Sequence, residues 1–203
     1  MLHLIRHGET PLNAARVLQP ADTPLSPRGL AQARALAERM RSLPLAGILS
    51  SDMPRALQTA EAIAAACGLP IETSPLLQER NFGALRGLAY DTLGFDPLAM
   101  AEAPPGGESV PDFEARALQG WALILQRRAA LGGPLAVVSH GLVLRVWLQP
   151  GRVDLQGQSL PAHVPNTSLS SVDATPPHRA HTVACAMHLD NMDGWDTRSL
   201  VGG

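Results

Sequence analysis

Leu2-His3-Leu4-Ile5-Arg6-His7-Gly8-Glu9-Thr10-Pro11-Leu12-Asn13 opens the chain, and the change of character inside this stretch decides the fold. The short apolar run reads as a buried strand. Gly8 lets the backbone leave it, and Thr10-Pro11 has the form of an N-cap followed by proline in the first helical position. Arg6 and His7 therefore stand where a strand gives way to a helix, the place where open α/β sheets gather their ligands. An arginine beside a histidine there points to an anion, and to phosphate above all, because guanidinium pairs with phosphate oxygens through two parallel hydrogen bonds. On this segment alone a plainer reading stands beside it, with Arg6 a surface charge and His7 a hydrogen-bonded turn residue.

The rest of the sequence narrows the class. Its 203 residues suit one domain with a sizeable core over 1–203, and 45% hydrophobic with 17% charged residues is a soluble, globular balance. A formal net charge of −2 without a basic cluster argues against a nucleic-acid partner. The 16 basic residues are all arginine, which excludes lysine chemistry. Cys67 and Cys185 lie far apart without metal-binding spacing, as expected of a reducing cytoplasm. Arg6 interrupts the first apolar run, so neither a signal peptide nor a membrane span is expected. Exposed apolar positions such as Trp195 are too scattered to argue for an oligomer.

Strand and helix signals alternate along the chain. A helix is expected from Ser26 to Arg41, with Ser26 capping, Pro27 in its first position and Leu30, Ala33, Leu36, Ala37 and Met40 on one face. A short strand follows at Ala46 to Leu49. A helix comes next from about Met53 to Cys67, capped by Asp52 or Ser51 and ended by Gly68 and Pro70. Ile71-Glu72-Thr73 reads as an edge strand. The segment from Leu76 to Gly107 is irregular, and Pro104-Pro105-Gly106-Gly107 marks a turn or flexible loop. A long helix is expected from about Pro111 to Leu131, with a stripe of Phe113, Ala117, Trp121 and Leu125. Leu135-Ala136-Val137-Val138 is the uninterrupted apolar strand of a parallel sheet, and Leu142 to Leu148 resumes as helix. Thr167 to Val172 and His181 to Met187 read as further strands, and the polar tail from about 191 is expected to fray. The sum is an α/β protein, a three-layer α/β/α sandwich around a mostly parallel sheet.

Two of these strands end alike, in Arg6-His7-Gly8 and in Ser139-His140-Gly141. As parallel neighbours they would bring the two histidines side by side. Arg55, in the first turn of a helix, adds a cation near a helix N-terminus, itself an anion site. Glu79 is presented from a loop, in Leu77-Gln78-Glu79-Arg80-Asn81-Phe82-Gly83. Alternatives attach to each residue. Glu79 pairs with Arg80 or Arg86 on the surface in one reading, Asn13 serves only its turn, and His140 is a hydrogen-bonded core histidine. His7 and His140 could hold a metal, although the flanking arginines would repel one. Glu9 reads as structural. His163, His178, His181 and His188 lack ligand spacing and read as loop or strand-surface residues.

The segments Leu4 to Thr10 with Asn13, Ser50-Ser51-Asp52-Met53-Pro54-Arg55-Ala56 with Thr59-Ala60, Glu79 with Phe82-Gly83, and Ser139-His140-Gly141 together resemble the histidine phosphatase superfamily. Its members are phosphoglycerate-mutase-like proteins. The match runs from residue 4 to about 148, and Asn166-Thr167-Ser168 resembles a later family segment. The resemblance implies a phosphoglycerate-mutase-like sandwich in which His7 is a nucleophile that becomes phosphohistidine. Arg6, Arg55 and His140 would surround the transferring phosphoryl group, Asn13 would add a hydrogen bond, and Glu79 would act as proton donor and acceptor. No metal or cofactor is implied, and the partner would be a small phosphomonoester.

The family divides between hydrolysis and phosphoryl transfer. Tyr90 falls near where mutases carry a lysine, no adjacent arginine pair occurs between Arg86 and Arg116, and the insertion after Glu79 is short. These departures favour a phosphatase over a phosphoglycerate-type mutase, and retention of the whole set of site residues disfavours a binding module without turnover. Specificity is expected from Arg86, Tyr90, Phe95 and the loop Pro104 to Ser109, which could close over a ligand.

Overall fold

The structure, a computed structural model, describes residues 1–190. Trp195 and the tail from about 191 lie outside the described residues. The chain runs β1 (Leu2–Arg6), α1 (Pro11–Ala14), α2 (Pro27–Met40), β2 (Gly47–Ser50), α3 (Pro54–Cys67), β3 (Ile71–Thr73), α4 (Val110–Leu131), β4 (Leu135–Ser139), α5 (Gly141–Trp147), β5 (Leu169–Val172) and β6 (Ala180–Cys185). The strands form one sheet in the order β3-β2-β4-β1-β5-β6, with helices packed on both faces. Pairings among β3, β2, β4 and β1 are parallel, whereas β5 and β6 join antiparallel. Among the described residues no helix is long and apolar enough to cross a membrane.

Burial on both faces explains why β1 and β4 read as nearly continuous apolar runs, for every residue of each is buried. On one face Ile5, Ala136 and Val138 meet Leu36, Met40, Ala56, Ala60 and Ile63 of α2 and α3. On the other, Leu4 and Val137 meet Phe113, Ala117, Ile124 and Trp147 of α4 and α5.

Local chemistry sets the helix starts. Thr10 and Asn13 form a reciprocal capping box around Pro11, and Ser26 caps α2 by accepting the Gly29 N–H. Ser109 caps α4 in the same manner. One cap differs from expectation. Neither Asp52 nor Ser51 caps α3; Met53 occupies that position without a side-chain bond. The Ser51 hydroxyl stands 2.8 Å from the His140 ring instead.

The strand expected from Thr167 starts two residues later. Thr167 has a φ of 53° and turns its N–H onto the His7 carbonyl, which takes it out of the ladder. The last strand is likewise shorter than His181 to Met187, ending at Cys185 beyond Ala184 at φ 47°.

Candidate active site

Because β1 and β4 are parallel neighbours with Arg6 in register with Ser139, His7 and His140 leave the sheet at the same level. Their ring centroids are 5.1 Å apart. Both rings are fully buried. His7 Nδ1 lies 2.7 Å from the Gly8 carbonyl, a contact that requires the proton on Nδ1 and leaves a lone pair on Nε2. Nε2 itself is buried and has no protein partner. The backbone behind this ring is held from two sides. Asn166 Nδ2 and the Thr167 N–H donate to the His7 carbonyl at 3.0 and 3.2 Å, and the Gly8 N–H donates to Thr59 Oγ1 at 3.0 Å.

Two guanidinium groups are buried beside the imidazoles. Arg6 donates to the Val164 carbonyl, and Arg55 donates to the Pro20 carbonyl and to Met53 Sδ. Arg55 Nε has no partner. Burial pushes both guanidinium pKa values down to about 10, so both remain cations at neutral pH. Burial, followed by the charge of Arg55, holds His7 and His140 well below the usual imidazole range. Both rings are therefore neutral.

Glu79 is 3% exposed, which rules out the surface ion pair weighed for it. Its carboxylate accepts the Arg80 and Leu142 backbone N–H groups, both at 3.0 Å. Burial pushes its pKa above the usual carboxylate range, against the opposing pull of those two donors and of the Arg55 and Arg6 charges. Asn13 is buried too. Its Oδ1 accepts the Thr10 N–H at 3.2 Å and the Asn166 amide at 3.4 Å, so the turn reading of Asn13 holds and the residue also abuts the His7 support. Glu9 lies behind the site, accepting from the Ser26 hydroxyl and paired with Arg28, in keeping with a structural role.

A cleft of about 310 Å³ opens onto Arg6. Leu98, Ala99, Leu142 and Val164 give it apolar walls, and Asp96, Arg145 and His163 line it as well. This wall departs from the expected specificity residues. Tyr90 lies close enough to Arg6 to raise its pKa, but the Pro104 to Ser109 loop is tied down elsewhere. Asn81 Nδ2 donates to Gly106 O, the Asn81 N–H donates to Glu108, and Arg116 pairs with Glu108 at 2.7 Å. A Cβ on Gly83 would sit 2.2 Å from Pro105 O, so the two segments are in direct backbone contact. The loop braces Glu79 and its neighbours.

His163 is an exposed loop residue, as expected, and also lines the cleft. His178 lies in a loop but is buried edge-on to Trp121 at 5.3 Å, and His188 lies instead on a short 3-10 helix, Met187–Leu189, where it bridges Thr167 and Arg39. His181 is exposed as expected and pairs with Asp173. Sequence reasoning offered Ser51 only as a helix cap and assigned Thr59 and Asn166 no bonding role. Only Ser51 stands at a strand-to-helix junction; Thr59 lies within α3 and Asn166 just ahead of β5. Among the described residues, no group of three or more His, Cys, Asp or Glu is placed to hold a metal ion.

Two neutral imidazoles, two buried guanidinium groups and a buried carboxyl gather near the carboxyl ends of parallel strands, an arrangement chemically suited to an anion. The chain belongs to the histidine phosphatase superfamily (branch 1), whose model matches residues 2–184. It is 37% identical over 188 residues to a probable phosphoglycerate mutase GpmB of Yersinia pestis (strain Pestoides F), covering 85% of this chain and 84% of that one. Among solved structures it is similar to Bacillus stearothermophilus YhfR, with a TM-score of 0.73 at 30% identity over 89% of this chain and 94% of that one. It is also similar to a mycobacterial glucosyl-3-phosphoglycerate phosphatase, with a TM-score of 0.69 at 30% identity over 84% and 88%.

Proposed function

We propose that this protein is a cytoplasmic, metal-independent phosphatase that hydrolyses a small phosphomonoester through a phosphohistidine on His7. The observation that carries the reading is the His7 ring itself: Nδ1–H is committed to the Gly8 carbonyl, and the unpartnered Nε2 lone pair is buried beside two cations. In the first step Nε2 bonds to phosphorus as the ester P–O bond breaks, and the proton on Glu79 passes to the leaving oxygen. In the second, Glu79 takes a proton from water, whose oxygen bonds to phosphorus as the P–N bond breaks. Inorganic phosphate leaves and Glu79 is again protonated. Arg6, Arg55 and His140, with Asn13, meet the charge on the equatorial oxygens, and fixed donors of this kind cost no reorganisation. The cleft beside Arg6 receives the leaving group.

Hydrolysis is favoured over transfer by how the nearby cations are used. Arg80 donates to the carbonyls of Met100, Glu102 and Glu108, Arg116 is spent on Glu108, and Arg145 donates to Pro161 and Ala162 carbonyls. These three are thus engaged within the protein rather than free to hold an acidic intermediate between half-reactions. Arg86 favours the second reading, a phosphoglycerate-type mutase. It is partly buried near Arg55 and within the field of Glu108, no hydrogen bond or ion pair engages its side chain among the described residues, and a curated relative is named a probable mutase.

The test is rapid mixing with a chromogenic phosphomonoester, with and without a chelator. Turnover indifferent to chelation and an acid-labile protein phosphate, absent from His7→Ala, are expected. Binding of phosphate esters without turnover across a broad panel would sink the proposal. Positional exchange in the presence of a bisphosphorylated acid would replace it with the mutase.

A further inference from the structure

We infer that Ser51 fixes the tautomer of His140, so that this ring offers an N–H, and not a lone pair, to the phosphoryl oxygens. The inference rests on the reading of His140 as a phosphate ligand. Ser51 is fully buried where β2 hands over to α3. Its Oγ stands 2.8 Å from His140 Nε2 and accepts the Met53 N–H at 3.3 Å. A hydroxyl has one proton to give and two lone pairs.

Two arrangements satisfy the contact with His140. In the first, Nε2–H donates to Ser51; the hydroxyl then accepts twice, its own proton has no acceptor, and Nδ1 of His140 becomes a bare lone pair in a buried site. The orphaned hydroxyl proton is what tells against it, because a buried polar group left unmade carries its full desolvation penalty, whereas Nδ1 lacks a protein partner in either arrangement. In the second, the hydroxyl accepts from Met53 and donates to Nε2. Ser51 is then fully used, and the ring proton falls on Nδ1. That atom is buried and has no protein partner, so its proton is reserved for a ligand oxygen.

The two imidazoles, 5.1 Å apart, thus carry opposite tautomers. The Gly8 carbonyl pulls the proton of His7 to Nδ1 and leaves a nucleophilic lone pair on Nε2. The Ser51 hydroxyl fills Nε2 of His140 and leaves a donor on Nδ1. One accepts phosphorus and the other complements its oxygens. Ser51 acts through His140 and is a positioning residue.

Long-range 1H–15N spectra of 15N-histidine-labelled protein at neutral pH read the tautomer directly, with the His140 signals assigned by their loss in His140→Gln. The wild type should show His140 protonated on Nδ1, and inorganic phosphate should shift that proton. Ser51→Ala should mix the tautomers and lower kcat/KM roughly tenfold to a hundredfold, at or below the loss of a whole preorganised donor. Ser51→Thr, which keeps the hydroxyl, should restore the Nδ1–H pattern. An Nε2–H signature in wild type overturns the inference without any variant, as does an unmoved tautomer in Ser51→Ala. An Nδ1–H that ignores phosphate would instead overturn the role of His140 as a ligand and leave the tautomer assignment standing.

Discussion

The imidazole of His7 sits where a proton is unwelcome: it is fully enclosed and faces the charges of Arg55 and Arg6. The Nε2 lone pair proposed to attack phosphorus is thereby kept free well below the usual imidazole pKa, so no acid limb near pH 6.5 should limit kcat/KM. Glu79 is shifted the other way. Burial favours its neutral form, so the acid persists to higher pH than a free carboxyl would allow. Protonation of the leaving oxygen needs that form, and kcat/KM for esters of poorly acidic alcohols should fall as pH rises through the raised pKa. Glu79→Gln should remove this alkaline limb and slow such esters by about 10²- to 10⁴-fold. A nitrophenyl ester, whose leaving group needs little help, should lose far less. A pH–rate profile on both ester types checks this, and equal losses on the two would remove Glu79 from the acid role.

At the scale of elements, the loop that follows His7 and α2 are in direct backbone contact. A Cβ on Gly29 would lie 1.9 Å from Glu9 O, and one on Gly8 would lie 2.7 Å from Gly29 O. Glycine is required at both by proximity. Gly29→Ala must push α2 off the loop, and overpacking of this kind costs about 1–3 kcal/mol, more than the roughly 1 kcal/mol alanine regains in a helix. The expected result is a lower urea midpoint together with reduced kcat, because the displaced segment carries His7. Unchanged values would show that the loop yields freely. This contact was invisible in the sequence, where Gly29 is merely a weak helix former. What was legible followed from periodicity and caps: β1, β4 and α2 are set by burial on both faces or by one apolar stripe, and their ends carry Arg6, His7 and His140. What was not legible depends on distant pairing. Thr167 reads as strand until the His7 carbonyl claims its N–H, and the Pro104 to Ser109 stretch reads as a lid until Asn81 and Arg116 fasten it. Asp96, Arg145 and His163 meet in one cleft only because three segments converge, and no local pattern announces that.

Across the whole molecule, neutral histidines are a recurring expense at low pH. Burial pulls His3 and His188 down to about 4, and His7 and His140 lie well below their ordinary value. The unfolded chain binds protons at these residues once pH drops below about 6.5, while the folded chain does not, so stability is complete above that pH and drains away as pH falls toward 4. Glu79, raised in the fold, works in the opposite sense, whereas His163, lowered as well, adds to the four. The urea midpoint should therefore decline between pH 7 and pH 5, and His188→Gln should flatten the decline. A midpoint constant over that range would mean these rings take up protons without unfolding.

The cations that flank His7 are both guanidinium, held at about 10 even when buried, and the sequence contains no lysine at all. The positive potential at the pocket is consequently a constant over the physiological range. Acetylation and other amine-directed chemistry have no side chain here to act upon. What remains variable at such a centre is its occupancy, for any anion that fits between the two guanidinium groups competes for it.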